Sequence, residues 1–129
     1  MEILSQQNSE MLLRFVLSLI AGAVIGYERS FNGRPAGFRT HALVCSAACL
    51  LMFLSAYEST WANVSRESIR FDPTRMAQGI MTGIGFLGAG VIIKEGLSVR
   101  GLTTAASIWI TSALGVLAGA GLYYPLVMG

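Results

Sequence analysis

Four long stretches almost free of charge constrain this 129-residue chain more than any other feature. They cover residues 11–27, 40–57, 76–93 and 103–124, about 17–22 residues each. At about 1.5 Å rise per residue, a helix of that length matches a hydrocarbon core about 30 Å thick. The first holds one charge, Arg14; the second has none, with His41 in its first turn; the third and fourth have none. A helix bundle in water would need polar outer faces, and these segments offer none. In lipid the backbone must satisfy itself, which selects helices. The expected fold is all-α: a polytopic integral membrane bundle of four transmembrane helices.

Composition agrees with that reading. Hydrophobic residues make up 53% of the chain and charged residues 12%, about half the usual charged share. Nine Lys and Arg with seven Asp and Glu cannot cover a water-facing surface. A soluble enzyme, a disordered tail and a nucleic-acid reader are poor fits. The net charge of +2 is small and the basic residues are dispersed, so no nucleic-acid partner is expected. Without a basic n-region or an early cleavage site, no cleaved signal peptide is expected either.

The segment edges carry interface chemistry. Tyr27, Tyr57, Trp61, Tyr123 and Tyr124 stand where an aromatic belt would lie. Asp72-Pro73 is a helix opening, with a side-chain acceptor at the N-cap and Pro at the first helical position. Thr40 and Thr103 are expected to cap the second and fourth helices, and Arg14 to snorkel to the headgroups. Loops 28–39 and 94–102 share a side and hold five basic residues: Arg29, Arg34, Arg39, Lys94 and Arg100. The opposite loop holds three, Arg66, Arg70 and Arg75, beside Glu58, Glu67 and Asp72. The positive-inside rule then makes the richer side cytoplasmic and puts the N-terminus outside.

Glycine is the most informative residue within the spans. Gly22 and Gly26, Gly79 and Gly83, and Gly115 and Gly119 form small-xxx-small pairs on the first, third and fourth. Lipid offers no hydrophobic force between helices, so close backbone approach has to hold them together. The third span adds Gly85, Gly88 and Gly90, and at about 100° per residue its glycines do not share a face. Either this helix is packed on several sides at the bundle centre, which is the favoured expectation, or it breaks near Gly85 to Gly90. A break would matter, because half-helix ends bind ions in transporters.

Catalytic and metal chemistry find little to work with. His41, Cys45 and Cys49 form a stripe, but positions eight apart lie about 12 Å apart along a helix and cannot share one ion. The cysteines read as small apolar packers. No carboxylate lies inside any of the four spans, which weighs against a self-contained cation pump. One histidine cannot supply a Ser-His-Asp or Cys-His site with a plausible setting. No catalytic residue, metal ligand or cofactor is assigned, and the chain is not expected to be an enzyme.

The densest polar segment runs from Gly26 to His41. Glu28 sits at a helix C-terminus and Arg39 at a helix N-terminus, each on the wrong end for its dipole. An ion pair between them would offset both misplacements. The alternative is an anchor loop with turns at Gly33, Pro35 and Gly37.

Five motifs occur in order: Gly26-Tyr-Glu-Arg29, Gly33-Arg-Pro-Ala-Gly-Phe-Arg-Thr-His41, Asp72-Pro-Thr-Arg75, Gly83-Ile-Gly-Phe-Leu-Gly-Ala-Gly90 and Val99-Arg-Gly-Leu-Thr-Thr-Ala-Ala106. Together they resemble the MgtC/SapB family of bacterial inner-membrane proteins from about residue 15 to 121. The resemblance implies a role in growth at low magnesium and, in pathogens, survival inside macrophages. It implies action by binding another membrane complex, with the F-type ATP synthase as the expected target, in place of magnesium transport. Family members continue into a fifth span and often a cytoplasmic C-terminal domain, which are expected to be missing here. The polar positions that match are Glu28, Arg29, Arg34, Arg39, Thr40, His41, Asp72, Arg75, Arg100, Thr103 and Thr104. The leading expectation is a regulatory membrane protein that binds partner helices, or its own copies in a homo-oligomer, through glycine-lined faces. The runner-up is an oligomeric transporter or channel for a small ion such as magnesium.

Overall fold

The computed structural model describes residues 1–58 and 72–129. Within them lie α1 (Glu2–Phe31), α2 (Phe38–Ala56), α3 (Pro73–Val91), the strands β1 (Ile93–Glu95) and β2 (Ser98–Arg100), α4 (Leu102–Ala120) and a short α5 (Tyr123–Met128). The described residues make an all-α bundle with one small hairpin. Three helices, α1, α2 and α4, are long and apolar enough to cross a membrane. α3 has the same 19-residue length as α2, but Arg75, Gln78 and its glycines dilute its apolar character. Large side chains such as Leu12, Val16, Ile20 and Val24 stand exposed along one stripe of α1, as a lipid-facing surface would.

The centre of the bundle is the α2–α4 pair, with α1 packed across both. α2 buries Val44, Cys45, Ala48, Cys49, Met52 and Phe53, and α4 buries Ile108, Leu114 and Ala118. Glycine makes these crossings close. A Cβ on Gly22 would lie 2.5 Å from the His41 carbonyl oxygen, and one on Gly26 would lie 2.6 Å from Phe38 Cα. On the other side of α2, a Cβ on Gly115 would lie 2.2 Å from the Cys45 oxygen, and one on Gly119 2.5 Å from Met52 Cβ. His41, Cys45 and Cys49 are all buried on the seam these glycines admit. The stripe is a packing face, and no group of three or more metal-ligating side chains occurs among the described residues.

α3 runs unbroken from Pro73 to Val91 through Gly85–Gly90, as the favoured expectation had it, but it lies at the edge of the bundle and not at its centre. Gly88 is its one buried residue, 3.7 Å from Ala105 Cβ by its added Cβ, whereas Gly79, Gly83, Gly85 and Gly90 have nothing within 4 Å. A helix needs no other helix to satisfy its backbone, so glycine alone does not draw one to the centre. α3 leans on α4 instead, and diverges from α2 to leave an apolar groove of about 520 Å³.

Local signals set the helix ends unevenly. Asp72 caps α3 as its sequence predicts, its Oδ1 accepting from Thr74 N at 2.9 Å with Pro73 at the first helical position. Thr40 and Thr103 do not cap α2 and α4. Both helices start earlier, with Gly37 and Gly101 at the N-cap; the Phe38 N–H at the start of α2 donates to Ser30 Oγ of α1 at 2.9 Å, and α4 has no side-chain cap. Gly101 holds φ +88, and a Cβ there would lie 1.9 Å from the Val91 oxygen. α1 extends the expected 11–27 span in both directions, and α4 stops at Ala120 where Gly121 turns at φ +75, short of residue 124. Segment 94–102, read as a loop, contains the hairpin pairing Glu95 with Ser98, turned by Gly96 at φ +60. α5 then folds back so that Leu126 packs against the Cys49, Phe53 and Ala118 cluster.

Candidate functional site

Two polar clusters lie at opposite ends of the bundle, and an open glycine face lies between them. The first cluster sits where the end of α1 meets the starts of α2 and α4. Arg29, in the last turn of α1, is 7% exposed, and its Nη2 donates to Thr104 Oγ1 and, at 3.4 Å, to the Pro35 carbonyl. Its Nε is buried with no acceptor. Thr104 is buried in the first turn of α4, three residues before Ser107. Ser107 Oγ lies 2.8 Å from the Thr104 carbonyl and 3.0 Å from His41 Nε2, while His41 Nδ1 donates to the Gly37 carbonyl at 2.9 Å.

The second cluster involves Arg14. Its Nη1 donates to the Gly119 carbonyl at 3.0 Å, in the last turn of α4, where a cation meets the negative end of the dipole. Its Nε donates to Glu10 Oε1 at 3.0 Å, Tyr123 OH donates to the same oxygen, and the guanidinium lies 5.6 Å from the Tyr57 ring centre. Arg14 therefore ties α1 to α4 and α5, and does not reach out to headgroups alone. The Glu10 carboxylate holds the Tyr123 hydroxyl above its ordinary pKa.

The matched polar positions separate cleanly. Arg29, His41 and Thr104 meet inside the first cluster. Glu28, Arg34, Arg39, Thr40, Arg75, Arg100 and Thr103 are exposed, and Asp72 serves as a cap. The expected Glu28–Arg39 pair does not form. Glu28 Oε1 accepts from Asn32 Nδ2 at 2.5 Å, one turn on along the same helix, and Arg14–Glu10 is the single ion pair among the described residues. Ser107 escaped the sequence reading, although its position three after Thr104 places it on the same face. Trp61, Arg66, Glu67 and Arg70 lie outside the described residues.

The groove between α2 and α3 is lined by Leu43, Ala47, Leu51, Gly79 and Gly83, with Ser112 of α4 beside them. Ser112 Oγ is buried with no hydrogen-bond partner. Its surroundings suit the close approach of another apolar surface, and no catalytic arrangement is apparent in them.

Comparison with known proteins gives the family. The YhiD protein of Escherichia coli K12, whose name carries the words magnesium transporter, is 42% identical over 117 residues, covering 90% of this chain and 54% of its own. Protein MgtC of Brucella abortus is 49% identical over 105 residues, covering 81% of this chain and 40% of its own. The chain thus spans about half the length, or less, of these curated relatives. No solved structure matches. The model of the MgtC family matches residues 15–129, and the chain belongs to that family.

Proposed function

We propose that the chain is a regulatory protein of the bacterial inner membrane, acting in adaptation to low magnesium by docking helices of another membrane complex against α3. The observation that carries this is the contrast between two sets of glycines. Gly22, Gly26, Gly115 and Gly119 are filled by α2, while Gly79, Gly83, Gly85 and Gly90 face open space. A helix with several bare glycines presents backbone that another helix can approach closely, which in lipid is a main source of association.

The family resemblance names the F-type ATP synthase as the complex and, in pathogens, survival inside macrophages as the setting. A second copy of the chain is the other occupant of the same face, giving a homo-oligomer. Loops 28–39 and 94–102 face the cytoplasm in this reading, and the protein is not an enzyme. The name of the Escherichia coli relative supports a second reading, an oligomeric magnesium transporter. Against it stands the lack of any Asp or Glu in α2, α3 and α4.

One paired experiment separates the two. Cross-linking and capture from native membranes is run on the protein and on its Gly83→Leu variant, beside a magnesium flux assay in liposomes from the same preparation. The proposal expects a captured complex that Gly83→Leu loses, with no flux. Flux without capture reverses the ranking.

A further inference from the structure

A buried cation needs a counter-charge, because removing an ion from water costs several kcal/mol unless it is paired. Arg29 has none among the described residues. It is 7% exposed, its acceptors are a threonine hydroxyl and a carbonyl at 3.4 Å, and its Nε has no acceptor. Glu28, its chain neighbour, is exposed and turned to Asn32. Two more positive ends converge on the same place. α2 starts at Phe38, three residues after the Pro35 carbonyl that Arg29 touches, and α4 starts at Leu102, two before Thr104. At the start of α2 the Phe38 N–H donates to Ser30 Oγ at 2.9 Å, whereas the start of α4 has no side-chain cap and leaves N–H groups and a positive dipole end beside the guanidinium. For a cation alone this is an unfavourable position.

We infer that the junction of Arg29, Thr104 and the uncapped start of α4, beside the start of α2, is a binding site for a phosphate-class oxyanion. A guanidinium fork beside helix N-termini is what such an anion selects. Arg34, Arg39 and Arg100 stand exposed on the same end of the bundle and raise the local anion concentration. The phosphate can be free in solution or belong to the headgroup of an anionic lipid, since the chemistry that recognises it is the same. The site lies apart from the α3 face and holds whether or not that face docks a partner.

The test uses the whole chain in a maltoside detergent, which brings no phosphate of its own. Thermal unfolding is followed with inorganic phosphate, with phosphatidylglycerol mixed micelles, and with chloride at matched ionic strength. Phosphate or phosphatidylglycerol at about ten times its dissociation constant should raise Tm by a few degrees over chloride. A response to inorganic phosphate assigns the soluble source, and a response to the lipid alone assigns the headgroup. Arg29→Gln should abolish the shift, and Arg29→Lys, which keeps the charge but loses the fork, should weaken binding about tenfold. Arg34→Gln and Arg39→Gln should keep most of it. The inference is overturned if neither anion exceeds chloride in the unaltered protein. It is equally overturned if Arg29→Lys responds as the unaltered chain does, or if Arg34→Gln and Arg39→Gln remove the shift as fully as Arg29→Gln.

Discussion

Replacing Gly115 and Gly83 by alanine should move stability in opposite directions, although both glycines belong to small-xxx-small pairs. At Gly115 the new Cβ would sit 2.2 Å from the Cys45 oxygen and 2.8 Å from Ala48 Cβ. Carbon contacts are comfortable at about 3.5–4.0 Å, so α2 and α4 would have to separate by roughly an ångström at that level. The neighbouring contact at Gly119, where a Cβ would meet Met52 at 2.5 Å, leaves no room for a compensating tilt. Overpacking of this kind costs about 1–3 kcal/mol, and the better helix propensity of alanine returns up to about 1. Gly115→Ala should therefore lose about 1–2 kcal/mol. At Gly83 nothing lies within 4 Å, so only the propensity remains and the isolated chain should gain up to about 1 kcal/mol. Reversible unfolding in mixed micelles, followed by circular dichroism at high dilution, measures both. Dilution matters because a partner on α3 would make Gly83→Ala an association defect that grows with concentration. A neutral Gly115→Ala, or a Gly83→Ala that costs as much in the dilute monomer, would refute the assignment of filled and open faces.

Three further outcomes are expected. Gly101→Ala should destabilise by at least about 1–2 kcal/mol from its φ of +88 alone, with the clash on the Val91 oxygen adding to that, read as a lower unfolding midpoint. Asp72 has its carboxyl held below the ordinary value by the Thr74 hydroxyl and N–H. Its contribution is therefore present above about pH 4 and lost as pH falls through the lowered value, so amide exchange at the start of α3 should speed up in acid and lose that dependence in Asp72→Asn. Glu28→Gln and Arg39→Gln should add within about 0.5 kcal/mol in a double-mutant cycle, and a larger coupling would show that the two charges meet after all.

The polar motif from Gly26 to His41 shows how far local information reaches. Its density marked the region, yet the pairing expected within it was wrong, because Asn32 four residues along α1 reaches Glu28 more cheaply than a residue across a loop. The working partner of the motif, Thr104, lies 75 positions from Arg29 and is brought there by the α1–α4 packing. Likewise Arg14 read as an isolated snorkelling cation, and its acceptor on α4, Gly119, lies 105 positions away.

Chain chemistry alone determined that the protein is an all-α membrane bundle and that Asp72-Pro73 opens one of its helices, while it counted four spans where three helices among the described residues are long and apolar enough to cross a membrane. Those properties depend on runs of neighbouring residues and on the length of a helix against the thickness of a bilayer. Which glycines touch, which arginine is buried and which helix stands at the edge were decided only in three dimensions. The same small-xxx-small spacing occurs on the filled α4 and on the open α3, so spacing cannot tell them apart. The difference comes from the rotation and tilt each helix takes against partners remote in sequence, and packing sets these.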